Sequence, residues 1–332
     1  MLNVGLSLGF PSGRVVFQLS PLQAWLACLM LSVCYVGSLF TLPARLMALP
    51  RSDLRQVKAR MRAVLAASLA SVWFLALLSS GAVDSVEGAT IREWLGIARV
   101  NYSCLLSCLS TTACLFTGPL VCAALMMLLR AKYTIDQEGM RQRRPTRISM
   151  PAAIWEAAQD RAFVEGGKWP IARNLIVGPL TEELVYRACF IPLLLSSGVN
   201  RGTAIWCSPV LFGLSHVHHI RERLRSGCSV VAALLPSLVQ LTYTTLFGAY
   251  AAFVFIGSSC LTSTVLVHSF CNCMGVPDLS FARPAGAFSS SGQLSALYSA
   301  RHVIWACYLL GIGLFVWRLP TAASCQGSVF PR

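Results

Sequence analysis

The stretch from Cys228 to Pro277 reads CSVVAALLPSLVQLTYTTLFGAYAAFVFIGSSCLTSTVLVHSFCNCMGVP and contains no Asp, Glu, Lys or Arg in 50 residues. A membrane-spanning helix needs about 20 mostly apolar residues. The stretch therefore predicts two spans, and Gly257-Ser258-Ser259 is the expected break between them. Its one histidine, His268, is expected inside the second of these spans.

Six further apolar runs surround this stretch and bring the predicted number of spans to about eight. They are residues 17–44, 64–83, 101–129, 171–199, 202–219 and 303–317. Gly118-Pro119 interrupts the third run, so a kink is expected there. We predict an all-α, polytopic integral membrane protein with about eight transmembrane helices. No soluble stretch is long enough to hold a second core, so residues 1–332 are expected to form a single transmembrane domain.

The composition of the whole chain agrees with this fold class. Only 12% of the 332 residues are charged, against about 25% in soluble domains, and the mean hydropathy is +0.63. These values exclude an ordinary cytosolic globular protein, a disordered chain and a nucleic-acid-binding domain. The net charge of +14 comes from basic residues in short loops between apolar runs, as in multispanning membrane proteins.

The distribution of Lys and Arg predicts the orientation in the membrane. Alternate loops hold 20 of the 27 basic residues, in segments 45–62, 130–173, 221–225 and 278–301. The loops of the opposite side hold six. Loops rich in Lys and Arg face the cytosol, so both termini are expected on the other side.

The 14 cysteines show no CxxC pair and no spacing typical of a zinc site. Most of them fall inside the predicted spans, where cysteine is expected to act as a small apolar residue in helix packing.

Three ionisable residues lie inside one predicted span, in the segment GPLTEELVYR at residues 178–187. Each costs about 2.5–3.5 kcal/mol to insert, so the group needs an explanation. Glu183 and Arg187 are four residues apart and can pair on one helix face, which is also what a purely structural ion pair would do. Glu182 points about 100° away and is expected to face a polar cavity, where a desolvated carboxylate suits a general base.

Two further polar groups occur in later spans. The chemistry alone does not distinguish His216 from its neighbours His218 and His219, but His216 lies deepest in its span and is the best candidate for a proton carrier; a core histidine is the alternative. His268 and Asn272 share a helix face and can donate hydrogen bonds to an oxyanion, or simply join two helices.

These groups have a similar expected depth in the membrane. The two glutamates lie in the cytosolic half of one span, His216 lies near the cytosolic end of the next, and His268 lies partway along a later span. They can therefore meet in one cavity that opens to the cytosol.

The three groups together resemble a known family. Glu182-Glu183-x-x-x-Arg187, Phe212-x-x-x-His216 and His268-x-x-x-Asn272 occur in this order in the intramembrane glutamate proteases that process CaaX proteins. The longer phrases PLTEELVYRAC at residues 179–189 and FGAY at residues 247–250 are similar to the eukaryotic members of the endoplasmic reticulum. The resemblance covers roughly residues 173–277, the expected catalytic core.

The resemblance implies an endopeptidase that removes the last three residues of prenylated CaaX proteins, such as Ras-like small GTPases. It implies that Glu182 and His216 activate a water, and that Glu183 and Arg187 support them. His268 and Asn272 would stabilise the tetrahedral oxyanion. The implied location is the membrane of the endoplasmic reticulum, with the active site facing the cytosol. Neither a metal nor another cofactor is expected, and nucleic acid is not an expected partner.

Other functions remain possible from the residues alone. A metalloprotease is disfavoured because HExxH is absent. A cysteine protease would use Cys189 or Cys271 as nucleophile. A transporter or proton channel also places Glu, Arg and His inside the membrane, although no second polar set lines an exit. A catalytically silent scaffold of the same family would have no reason to retain all the motif residues.

Overall fold

The computed structural model describes residues 13–81, 88–141, 167–216, 220, 223–224, 227–277, 279–282, 292–323, 325 and 328–330. The helices are α1 (Pro21–Ser38), α2 (Ala44–Met47), α3 (Leu54–Leu77), α4 (Ile91–Trp94), α5 (Tyr102–Leu115), α6 (Thr117–Arg141), α7 (Lys168–Ala172), α8 (Gly178–Glu183), α9 (Phe190–Ser196), α10 (Arg201–Leu214), α11 (Val230–Ser258), α12 (Leu261–Met274), α13 (Gly292–Ser299) and α14 (Arg301–Ala323). Two short strands, β1 (Val15–Val16) and β2 (Ser80–Gly81), pair antiparallel. The predicted all-α membrane fold is confirmed.

Four helices of the described chain are long and apolar enough to cross a membrane: α1, α3, α11 and the part of α14 from Arg301 to Ala322. A fifth span is obtained if α5 and residues 117–129 of α6, which are bent by 70°, form one crossing. The predicted number of eight is not confirmed. Helices α10 and α12 have 14 residues each, about 21 Å of helix, which is shorter than the hydrocarbon core of about 30 Å.

Polar side chains mark where the longer helices begin. Ser20, Asp53, Asn200 and Ser229 precede α1, α3, α10 and α11, and each accepts a hydrogen bond from a backbone N–H in the first turn. The first N–H groups of a helix have no partner within the helix, so these caps stabilise each start by about 1 kcal/mol.

The two predicted interruptions occur close to the expected positions. Helix α11 ends at Ser258, and Ser259 adopts a left-handed conformation with φ 45° before α12 begins at Leu261. The α5–α6 bend lies at Phe116, just before the predicted Gly118-Pro119. Pro119 falls in the first turn of α6, where its missing N–H breaks no helical hydrogen bond.

The chain packs as two compact units. The first contains residues 1–108, 172–269 and 321–332, and the second contains residues 109–171 and 270–320. In the first unit, the segment Val185–Leu194 is almost entirely buried and packs with apolar residues of α1, α3 and α11. In the second, the core is formed by Phe281, Leu297, Ile304 and Tyr308. The expectation of a single transmembrane domain stays a prediction.

The interpretation of the cysteines as packing residues was wrong for one pair. Cys104 and Cys325 form a disulfide, with Cα atoms 5.6 Å apart. The two residues are 221 positions apart in sequence, so no local spacing could indicate the bond. The other 12 cysteines are not in disulfides.

Candidate active site

The segment that carries the two glutamates is a helix of mixed type. Between α7 and α9, π-helical turns at Arg173–Val177 and Leu184–Cys189 flank the α-helical residues Gly178–Glu183. Pro179 and Pro192 lack an N–H and cannot make the regular helical hydrogen bond, which favours wider turns next to them. Such π turns often occur at functional sites, because they change the direction of the following side chains.

Glu183 is the centre of the buried polar cluster. Its side chain is fully buried, and Oε1 accepts hydrogen bonds from Arg187 Nη1 at 2.9 Å and from His268 Nδ1 at 2.7 Å. The predicted Glu183–Arg187 pair is confirmed. The contact with His268 was not predicted, since the two residues are 85 positions apart and no local pattern joins them.

Glu182 lies on the more open side of this cluster. Its side chain is 25% exposed, and Oε2 is 3.8 Å from His268 Nε2. Because the ionised Glu183 carboxylate can only accept, the contact assigns the proton on His268 to Nδ1. The Nε2 atom therefore faces Glu182. As expected, Glu182 does not share the Arg187 salt bridge of Glu183 and lies next to another polar group.

Two aromatic rings lie against the Arg187 guanidinium. Its central carbon is 4.5 Å from the ring centroid of Phe212 and 5.9 Å from that of Phe247, both within cation–π range. Phe247 also packs against His268, with ring centroids 4.7 Å apart. The cation is thus enclosed by one carboxylate and two aromatic faces, which partly offsets the cost of burying it.

His216 is brought to the same cluster through Phe212. The Phe212 ring is fully packed and meets His216 and His268 edge-on, at centroid distances of 5.2 and 6.4 Å. His216 Nδ1 lies 3.1 Å from the Phe212 carbonyl. A carbonyl oxygen only accepts, so Nδ1 is the donor and the lone pair is on Nε2. His218 and His219 lie outside the described residues.

Helices α1 and α3 hold the glutamate helix in place. Tyr35 donates to Thr181 Oγ1 at 2.9 Å, since the Thr181 hydroxyl itself donates to a backbone carbonyl. The hydroxyl groups of Ser32 and Tyr186 form a hydrogen bond of 3.2 Å. Ser68 Oγ of α3, which donates to the Val64 carbonyl at 2.7 Å, also lies 3.5 Å from the Thr181 carbonyl. The sequence reasoning missed these supporting residues, because hydroxyl side chains are common in helices and carry no distinctive spacing.

Asn272 lies one turn after His268 on α12. Its side chain is exposed, and the residue belongs to the second unit.

Of the two cysteines considered as nucleophiles, Cys189 is fully buried and Cys271 is half-buried. In the part of the chain that the structure describes, the only group of sulfur, imidazole or carboxylate atoms close enough to hold a metal is Cys104, Cys108 and Cys325.

The comparisons with known proteins agree on one family. The family model for type II CAAX prenyl endopeptidases, Rce1-like, matches residues 166–274. The chain is 32% identical over 313 residues to "CAAX prenyl protease 2" of Homo sapiens, covering 92% of this chain and 84% of the human protein. It is 48% identical over 120 residues to the protein of the same name in Arabidopsis thaliana, covering 36% of this chain and 38% of that protein. No solved structure matches the chain.

The alignment with the protein of Saccharomyces cerevisiae is 26% identical over 315 residues, covering 86% of this chain and 91% of that relative. Together with the human alignment it extends well beyond residues 173–277, the range of the motif resemblance. The family model matches the segment that holds the buried Glu183–His268–Arg187 cluster, and the human alignment covers most of both chains. The chain therefore belongs to the type II CAAX prenyl endopeptidase, Rce1-like, family.

Proposed function

We propose that this chain is a CAAX endopeptidase that hydrolyses the peptide bond after the prenylated cysteine of CaaX proteins and releases the last three residues. The names of its relatives support this reaction. The structural observation that carries the proposal is the pairing of Glu183 with both Arg187 and His268, which leaves the partly exposed Glu182 next to His268 Nε2.

In this proposal, Glu182 is the general base. A water hydrogen-bonded to its carboxylate attacks the carbonyl carbon, and Glu182 takes up the water proton as the new C–O bond forms. His216 supports the same water from Nε2, which carries the lone pair in the assigned tautomer. The C–N bond then breaks, and the proton taken from the water passes to the departing amine.

His268 and Asn272 are the proposed donors to the tetrahedral oxyanion. Because its Nδ1–H is directed to Glu183, His268 donates from Nε2 only after that atom receives the water proton from Glu182, whose Oε2 lies 3.8 Å away. In that state the positive charges of His268 and Arg187 balance the negative charges of Glu182 and Glu183. The Asn272 amide donates without any change of charge.

The substrates, location and domain organisation extend the same proposal. The expected substrates are prenylated CaaX proteins, including Ras-like small GTPases, with the isoprenoid held in the bilayer. We place the protein in the membrane of the endoplasmic reticulum with its active site facing the cytosol, because the loops that hold most basic residues are then cytosolic. Residues 1–332 are proposed to act as one transmembrane protease domain, with the catalytic core at 173–277.

The substrate class can be tested with the purified protein in liposomes. We expect it to release the tripeptide from a farnesylated CaaX peptide and not from the same peptide without its lipid. Addition of a chelator and the substitutions Cys189→Ala and Cys271→Ala should leave the release within a few-fold of wild type. Equal cleavage of the peptide that lacks the lipid, or loss of activity with the chelator, would contradict the proposal.

A further inference from the structure

Two arginines meet near the beginning of the helix that carries the glutamates. Arg173 begins the first π turn of that helix, and Arg51 lies in the turn between α2 and α3. Arg51 is close enough to Arg173 for their positive charges to repel each other. Arg173 is half-buried, Arg51 is exposed, and both belong to the first unit, as does Glu182. Two like charges held together, one of them partly removed from water, favour the binding of an anion beside them.

The turn that carries Arg51 is fixed against α3. The buried Gln56 side chain donates through Nε2 to the carbonyls of Leu46 and Leu49, at 3.1 and 2.9 Å. Helix α3 in turn packs against the π turn that begins at Arg173. The position of Arg51 relative to Arg173 is therefore set by packed helices and by hydrogen bonds to the backbone.

The only acidic residue in the segment 45–62 already contacts another cation. Asp53 accepts hydrogen bonds from Arg55 through both carboxylate oxygens, at 3.2 and 3.1 Å. Arg173 forms no ion pair with a carboxylate of the described residues, and its Nε donates to Asn174 Oδ1 at 2.9 Å. The two Nη atoms of its guanidinium can therefore donate to an anion. A carboxylate suits them because a guanidinium binds it through two parallel N–H···O bonds.

The distance between Arg173 and Glu182 matches the length of the fragment that the proposed reaction releases. Nine residues separate them in sequence. A π turn holds one residue more than an α turn, so the separation corresponds to about eight α-helical positions, or about 12 Å, with the side chains about 80° apart. In a regular α-helix they would point about 180° apart. Three extended residues span about 10 Å, so the carboxyl end of a peptide cleaved at Glu182 would come within reach of the Arg173 side chain.

We propose that Arg173 and Arg51 bind the C-terminal carboxylate of the substrate and so fix the cleavage site three residues from the end of its chain. The inference rests on the proposed endopeptidase reaction, and in the proposed orientation both arginines lie on the cytosolic side. A substrate held by its isoprenoid and by its carboxylate presents one peptide bond to Glu182. The arginines take no part in the chemical step, so their loss is expected to raise KM rather than lower kcat.

The proposal can be tested with two farnesylated CaaX peptides, one with a free C-terminal carboxylate and one with a C-terminal amide, in phosphatidylcholine liposomes. On wild type, KM should be lower for the acid by about ten-fold or more, the usual effect of a hydrogen bond to a charged group. Arg173→Gln should raise KM for the acid to the value for the amide, with kcat changed less than three-fold. Cleavage of the amide should stay unchanged, which shows that the variant is folded.

A matched control removes an equal charge from the same segment. Arg62→Gln replaces an exposed arginine of α3 and should keep the wild-type preference for the acid. Phosphatidylserine added to the liposomes should also leave this preference unchanged. Its loss in the presence of phosphatidylserine would assign the arginines to anionic lipid headgroups and overturn the proposal.

Binding to Glu182→Gln makes the test independent of catalysis. The anisotropy of fluorescein-labelled peptides in neutral detergent should show tighter binding of the acid than of the amide, and the added substitution Arg173→Gln should abolish the difference. Equal binding of acid and amide would overturn the proposal, and so would a preference that Arg173→Gln retains. A protein that prefers the acid in binding while wild type cleaves neither peptide would instead contradict the proposed protease reaction.

Discussion

Glu183 is the residue on which the buried cluster depends. A single oxygen, Oε1, accepts from both Arg187 and His268, and all three side chains are nearly or fully buried. Neither Glu183 Oε2 nor Arg187 Nη2 has a hydrogen-bond partner among the described residues. The cluster therefore has no additional hydrogen bond that could replace a lost one, and removal of one member leaves another charge uncompensated.

The first prediction concerns the two adjacent glutamates. Glu183→Gln should lower the free energy of unfolding by about 3–5 kcal/mol, because it leaves the Arg187 charge buried without its carboxylate. Glu182→Gln is the matched control, and its stability should stay within about 0.5 kcal/mol of wild type because the side chain is partly exposed. Denaturant unfolding in mixed micelles measures both. Equal stabilities of the two variants would show that the ion pair is not essential to the fold.

The second prediction concerns Phe212, whose ring touches both histidines and the Arg187 guanidinium. Phe212→Leu keeps an apolar side chain but removes the flat surface that separates the two imidazoles. We expect kcat for tripeptide release to fall at least ten-fold with KM changed less than three-fold, since substrate is not predicted to contact this ring. A variant with unchanged kcat would exclude a positioning role for Phe212.

At the scale of elements, the sequence predicted local pairings but not the contacts between distant segments. The Glu183–Arg187 pair follows from helical spacing, and the break after Gly257 follows from small residues in a long apolar run. The hydrogen bond between His268 and Glu183 could not be predicted, because it depends on how α12 packs beside the glutamate helix. The π turns were also missed, since apolar periodicity does not distinguish them from α-helix.

The close packing of α10 and α11 depends on a glycine. A Cβ atom at Gly248 would lie 2.6 Å from the Cβ of Pro209 and 3.1 Å from Arg187 Nη2. Backbone or ring atoms cannot move away as a flexible side chain does, so the two helices would have to separate.

The third prediction therefore compares two Gly→Ala substitutions in helices. Gly248→Ala should destabilise the protein by about 1–3 kcal/mol and reduce the rate of tripeptide release. The new methyl group of Gly313→Ala in α14 meets no atom of the described residues within 4 Å. This substitution should stabilise the protein by about 0.5–1 kcal/mol, because alanine favours the helix. Thermal unfolding of both variants beside wild type is the measurement. A stable and active Gly248→Ala protein would mean that the two helices are not in close contact at this point.

At the scale of the whole molecule, the uneven distribution of basic residues gives the chain its proposed direction in the membrane. The segments assigned to the cytosol hold 20 of the 27 Lys and Arg residues. In this proposed orientation, Glu182 and His216 lie toward the cytosol and the Cys104–Cys325 disulfide lies on the other side, where disulfides persist.

The fourth prediction tests this orientation without any substitution. Trypsin added to sealed microsomes should cut the chain within residues 141–147, which contain four arginines. Arg92 and Arg99 are exposed in the structure and should be cut only after the membrane is permeabilised. Mass spectrometry of the fragments identifies the sites. Cleavage at Arg99 in sealed vesicles would reverse the proposed orientation.

The central claim is that Glu182 activates the water that hydrolyses the peptide bond. Its most direct test is a single-turnover measurement of tripeptide release from a farnesylated CaaX peptide in liposomes, by wild type and by Glu182→Gln. The thermal midpoints of the two proteins are measured alongside and should match, so that a difference in rate does not reflect a difference in folding. The account predicts that Glu182→Gln is slower by about 10²–10⁴-fold, the usual contribution of a general base. Release by Glu182→Gln within a few-fold of the wild-type rate would contradict the account.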